Sequence, residues 1–159
     1  KYELNPTFFP LADVIQECSR MAGPEHAANE EVISIDIPGN CAQLHADLQA
    51  FRQIMVNLLN NAVKYSKNDG KVVVSARKDA AGETVIVVRD NGPGIAPNEL
   101  AKVMQPFGQG RSSLETAQKG TGLGLSLSKQ LMELHHGDLR IDSVLGQGTT
   151  VTLCFPESA

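Results

Sequence analysis

Three stretches of the chain hold side chains whose types and spacing could do chemistry. In the first, Asn57, Asn61 and Lys64 follow one another at helical spacing. At about 100° per residue they share a stripe roughly 120° around from the apolar stripe Phe51, Ile54, Met55, Leu58, Leu59 and Ala62. Asparagine is a poor helix former, because its amide competes for backbone groups. Two of them one turn apart beside a buried face are therefore not placed for helix stability. Their amide oxygens suit a hard cation such as Mg2+, which takes oxygen ligands and commonly bridges to phosphates. Lys64, one turn on, could meet those phosphates as a point charge. A solvated helix face with an incidental asparagine pair fits the same residues.

The second stretch is an apolar strand, Val85-Ile86-Val87-Val88, that runs through Arg89 into Asp90-Asn91-Gly92-Pro93-Gly94-Ile95. An ionised Asp at the end of a buried strand is costly unless it is satisfied. An adenine amino group donates to such a carboxylate, whereas guanine presents a carbonyl at the equivalent position and is repelled. The glycines let backbone come close to a ligand; an ordinary Asp-Asn-Gly turn is the alternative. The third stretch, Lys119-Gly120-Thr121-Gly122-Leu123-Gly124-Leu125, opens a helix. Bare N–H groups at a helix start form an anion site suited to phosphate, though a flexible glycine hinge has the same composition. Two familiar phosphate loops are excluded. The dinucleotide fingerprint needs an apolar strand immediately before it, and residues 112–119 are polar; the Walker A loop needs Gly-Lys-Ser/Thr, which does not occur.

These stretches need elements to position them. Apolar spacing predicts helices over residues 11–21, 47–65 and 123–135, the second capped by Asp47. In the third, Leu123, Leu127, Leu131 and Leu134 are expected to line the inward face. Strands are expected over 32–37, 71–77, 83–89, 139–143 and 150–155, with a Gly146-Gln147-Gly148 turn between the last two. Helices and strands mix without strict βαβ alternation, which predicts an α+β sandwich. Residues 92–119 are too long for an inert connection, since most loops run to about 6 residues. Their content, including Pro106-Phe107-Gly108-Gln109-Gly110, suits a mobile lid over about 96–119.

The chain has 159 residues, 42% of them apolar and 20% charged, which predicts one domain over 1–159. Aromatics are only 4%, so an aliphatic core is expected. The net charge of −4 excludes the basic field of a nucleic-acid binder. No apolar run approaches the roughly 18 residues of a membrane span. Cys18, Cys41 and Cys154 are odd in number and scattered, which fits a reducing compartment rather than a disulfide framework. The start at Lys1, without an initiator Met, reads as an excised segment.

In their joint order the motifs resemble the catalytic ATP-binding domain of sensor histidine kinases, within the GHKL superfamily. Asn57-Leu58-Leu59-Asn60-Asn61-Ala62-Val63-Lys64-Tyr65 is similar to the family's N box, Asp90-Asn91-Gly92-Pro93-Gly94-Ile95 to its G1 box and Pro106-Phe107 to its F box. Gly120-Thr121-Gly122-Leu123-Gly124-Leu125 is similar to the G2 box, and Gly146-Gln147-Gly148-Thr149 to the last glycine box. The resemblance implies a two-layer sandwich, a mixed sheet against helices, with ATP between the N-box helix and the lid. It makes Asn61 a Mg2+ ligand, Asn57 a holder of ion or phosphates, and Lys64 a phosphate contact. Tyr65 would flank the nucleoside, and Asp90 would read the adenine amino group with Thr149 assisting through water. Gly94, Gly122 and Gly124 would let the lid close. The same likeness adds Gly92, Ile95, Phe107, Lys119, Gly120, Thr121, Leu123 and Leu125 to the ATP-binding set. Where many relatives carry two glycines after the second long helix, this chain has His136-Gly137.

Gyrase-like relatives carry a Glu one turn before the metal-binding Asn, as general base for water. Here the position is Asn57, and a neutral amide does not accept a proton at working pH. The resemblance therefore implies a protein kinase: Mg-ATP gives its γ-phosphoryl group to a histidine on a separate, dimeric phosphoacceptor domain. None of His26, His45, His135 and His136 has the acid and proline that follow the family's acceptor, which puts the acceptor upstream or in a partner subunit. A response regulator would follow downstream. The isolated domain is expected to be a cytoplasmic monomer without membrane contact, and its parent a homodimer. A catalytically silent nucleotide-binding module and an anti-sigma-type serine kinase are the alternatives.

Overall fold

The computed structural model describes residues 3–21, 33–65, 71–92, 123–144 and 146–156. In chain order they form β1 (Pro6–Pro10), α1 (Leu11–Met21), β2 (Ile33–Asp36), a 3-10 turn (Gly39–Cys41), β3 (Gln43–Asp47), α2 (Leu48–Tyr65), β4 (Val72–Lys78) and β5 (Thr84–Asp90). Then follow α3 (Leu123–Leu134), β6 (Asp138–Val144) and β7 (Gly148–Phe155). The expected lid falls outside the described residues.

Five strands make a mixed sheet in the order β2-β4-β5-β7-β6, with β2 parallel to β4 and the remaining pairs antiparallel. Strand β4 buries Val72, Val74 and Ala76 and turns Val73 and Arg77 outward, the alternation of a strand with one covered face. Strand β5 sits centrally and is buried along most of its length. Helix α2 packs on α1, α3 and β5, and α3 packs on β6 and β7. One continuous apolar core joins helices and sheet, the α+β two-layer architecture expected from the sequence. The whole α2 stripe predicted above is buried.

Two features differ from expectation. Strands β1 and β3 pair antiparallel as a separate two-stranded sheet. Prolines at both ends of β1 and the polar Gln43 and His45 in β3 hid them, since both are edge-strand compositions. The inward face of α3 is not its leucine stripe: Leu127 and Leu134 are 36% and 44% exposed. Leu131 of the stripe is buried with Met132 at its edge, and Leu125, Ser126 and Ser128 are buried as well, because two small serines let the helix lie close to its neighbours. The core is largely aliphatic, as composition suggested. Phe9, Phe51 and Phe155 run through it with ring centroids 5.3 and 5.8 Å apart, a separation at which aromatic pairs attract beyond their buried area.

Candidate functional site

Asp90 is the last residue of β5, in register with Val72 on one side and Thr149 on the other. It is buried, and its Oδ1 accepts the Gly92 N–H at 2.9 Å. Burial raises its carboxyl above the usual carboxylate range, while the N–H groups of Gly92 and Thr149 pull in the opposite direction by stabilising the charge. The next side chain secures the turn: Asn91 Oδ1 accepts the Lys71 N–H at 2.9 Å, tying the end of β5 to the start of β4.

The facing strand is shaped to fit. Gly148 has φ +124°, and a Cβ there would run into the Asp90 carbonyl oxygen. Only glycine allows β7 this close approach. Thr149 follows, half-buried, with its Oγ1 2.9 Å from Ser143 Oγ across the β6–β7 ladder. Asp90, Gly92 and Thr149 thus converge at one end of the central strands. The packed backbone and the carboxylate leave an acceptor suited to an amino group.

Helix α2 supplies the other half. Asp47 caps it, with Oδ1 accepting the Ala50 N–H at 2.9 Å. Asn57 and Asn61 are half-buried on its flank. The Oδ1 of Asn61 is fully buried, with no hydrogen-bond partner among the described residues. Buried polar atoms are almost always paired, so this oxygen, like Ser128 Oγ on α3, calls for a partner beyond the described residues. A carbonyl oxygen of this kind is a fitting ligand for a hard divalent cation. Lys64 and Tyr65 form the last turn of α2, and their side chains lie outside the described set. Leu123 and Gly124 begin α3, and Leu125 points into the core. The expected contacts Gly94, Ile95, Phe107, Lys119, Gly120, Thr121 and Gly122 lie outside the described residues.

Sequence reasoning missed the residues that hold the site in shape. Gly148 and Ser143 act through Asp90 and Thr149; the Gly-x-Gly-Thr spacing was a signal for the first, and nothing local marked the second. His135 joins the two long helices: its Nε2 accepts the Asp47 N–H at 3.1 Å, and Nδ1 lies 2.8 Å from Leu131 O.

The same frame is found in solved proteins. The catalytic domain of histidine kinase ThkA superposes with a TM-score of 0.76 over 96% of both chains, at 22% identity, which establishes the fold. Full-length ShkA in complex with AMPPNP gives 0.77 at 27% identity, covering 99% of this chain and 32% of that one. Residues 46–159 match the histidine kinase-, DNA gyrase B- and HSP90-like ATPase family, and the chain belongs to it. It is 38% identical over 149 residues to the non-motile and phage-resistance protein of Caulobacter vibrioides, covering 92% of this chain and 18% of that protein. It is 34% identical over 154 residues to the cell-division control histidine kinase PdhS of Brucella anthropi, covering 92% of this chain and 15% of that protein. The chain thus spans less than a fifth of these two relatives. No helix among the described residues is long and apolar enough to cross a membrane.

Proposed function

We propose that this chain is the ATP-binding catalytic domain of a sensor histidine kinase, which binds Mg-ATP and gives the γ-phosphoryl group to a histidine on a separate phosphoacceptor domain. The observation that carries this reading is the buried Oδ1 of Asn61 on the flank of α2, which has no partner among the described residues. Membership of an ATPase family and the AMPPNP bound by ShkA support it.

Each residue has a role in this reading. Asp90 accepts the adenine amino group, and the Gly92 and Thr149 N–H groups hold its carboxylate charged and oriented. Asn61, with Asn57 one turn earlier, holds the divalent ion, and Lys64 meets the phosphates. When bound, the ion neutralises phosphate charge. Gly94, Ile95, Phe107 and residues 119–125 belong to the same ATP-binding set by the family resemblance. No carboxylate stands at position 57 to activate water, so the γ-phosphoryl is kept for an incoming imidazole nitrogen: a P–N bond forms as the bond to the β-phosphate oxygen breaks, and ADP leaves. The acceptor helix, the dimeric parent and a response regulator are the partners this chemistry needs.

Calorimetry with Mg-ATP and Mg-GTP, then addition of a dimeric acceptor domain with labelled ATP, tests the reading. Binding of ATP over GTP, little hydrolysis, and label on histidine only when acceptor is present are expected. Equal binding of both nucleotides removes the role of Asp90, and rapid hydrolysis without acceptor removes the kinase assignment.

A further inference from the structure

The α2–α3 contact carries an inference that rests on the reading just proposed. Helix α2 leaves Asp47 and α3 arrives at His135, and the two helices pack together. They therefore run in opposite directions from one joint. At the helical rise Asn61 lies about 21 Å along α2 from that joint, and the start of α3 at Leu123 about 18 Å back along its own axis. Measured along each axis, the Asn61 turn and the first turn of α3 thus lie at similar distances from the joint.

The joint is a single side chain with both ring nitrogens committed. Because the Asp47 N–H donates to Nε2, the ring hydrogen sits on Nδ1 and goes to Leu131 O. The imidazole is buried, edge-on to Phe155 with centroids 5.6 Å apart. The chain after it is equally constrained. His136 N–H bonds Glu133 O and Gly137 N–H bonds Met132 O, each at 2.9 Å, with His136 at φ +61°. This is the helix ending in which one left-handed residue satisfies the last carbonyls. A Cβ on Gly137 would strike the Cys154 carbonyl. The end of α3 is therefore in close contact with β7 at Cys154.

We propose that His135 is a positioning residue of the nucleotide site: by accepting the Asp47 N–H it sets the register of α3 against α2, and so the height of the α3 first turn relative to Asn61. It touches no ligand. Adenine recognition at Asp90 depends on the sheet and is independent of this register.

The test uses this chain, with affinity for Mg-ATP and for adenosine measured separately on each variant, alongside thermal unfolding. His135→Gln keeps an acceptor that reaches the Asp47 N–H. His135→Asn keeps a donor near Leu131 O but is too short to reach Asp47. His135→Leu keeps bulk and removes both contacts. With wild type binding both ligands, Asn and Leu variants are expected to bind Mg-ATP about tenfold more weakly and adenosine unchanged, while Gln stays within about threefold of wild type. If Leu fails to fold, the Gln and Asn pair decides. Mg-ATP affinity unchanged in the Asn variant, or both ligands weakened together, overturns the proposal. Wild-type protein that binds neither ligand overturns the reading beneath it, a result distinct from either of these.

Discussion

At one end of the α2–α3 pair, polar groups from distant parts of the chain satisfy one another. Asp47 takes the Ala50 and Asn5 N–H groups at 2.9 and 2.8 Å and gives its own N–H to His135. At the other end Asn61 presents a buried oxygen with no partner among the described residues. The two ends belong to the same two helices and face the same core. A fold assembled only for stability would pair both. The difference suits one end to holding the helices; in the proposed reading the other is left to hold the ion, with the cost of the oxygen unpaired among the described residues carried by the paired end.

That contrast can be broken from either side. The largest stability effect is expected at Gly148, where Gly148→Ala forces a Cβ against the Asp90 carbonyl at a strained φ. Denaturant unfolding should show a loss of about 2–3 kcal/mol, with ATP binding failing alongside because the Asp90 turn is displaced.

Asp90→Asn comes next and separates stability from recognition. Removing the charged acceptor should weaken ATP about tenfold or more and flatten the preference over GTP in calorimetry. Burial raises the Asp90 carboxyl, so the folded chain holds that proton more tightly than the unfolded one. The stabilisation from this is full at acid pH and is lost as pH climbs through the folded value, leaving a buried charge at neutrality. Asp90→Asn should therefore be more stable than wild type at pH 7 in denaturant unfolding, and the gain should vanish in acid. By the same linkage ATP affinity should fall on acidification, starting above the range of an ordinary carboxylate.

Asp47→Ala probes the satisfied end, removing the cap on Ala50 and the tie to Asn5 while leaving the backbone donor to His135. A loss of about 1 kcal/mol in thermal unfolding is expected, with nucleotide affinity nearly intact. The smallest effect is at His136, a side chain held at φ +61°. His136→Gly should raise stability by about 0.5–1 kcal/mol and leave binding alone, since glycine adopts that conformation without strain.

The sequence made α2 legible because its apolar stripe repeats at helical period over the whole element, and each residue of the stripe is buried. Asp90 stood out for a local reason: an acid at the end of a buried strand is costly unless it is satisfied, and it is buried with the Gly92 N–H on its Oδ1. What was not legible depends on distance along the chain. His135 gains its meaning from Asp47, 88 residues away, and no local spacing marks such a pair. Ser143 and Thr149 meet only because β6 and β7 fold back on one another. The face of α3 was misassigned because leucine content was read as burial, whereas Ser126 and Ser128 are inside and Leu127 and Leu134 are out. Close packing against a neighbour selected small side chains, and neighbours are what periodicity cannot see.

The central claim is that the unpaired oxygen of Asn61 is there to meet a divalent ion carried with the nucleotide. The direct test is the Mg2+ dependence of ATP affinity, measured by calorimetry on wild type and Asn61→Ala. In wild type, Mg2+ should strengthen ATP binding. In Asn61→Ala that strengthening should fall at least about tenfold, while metal-free ATP affinity and the unfolding temperature stay where they were. Asn61→Ala with an undiminished response to Mg2+ would contradict it.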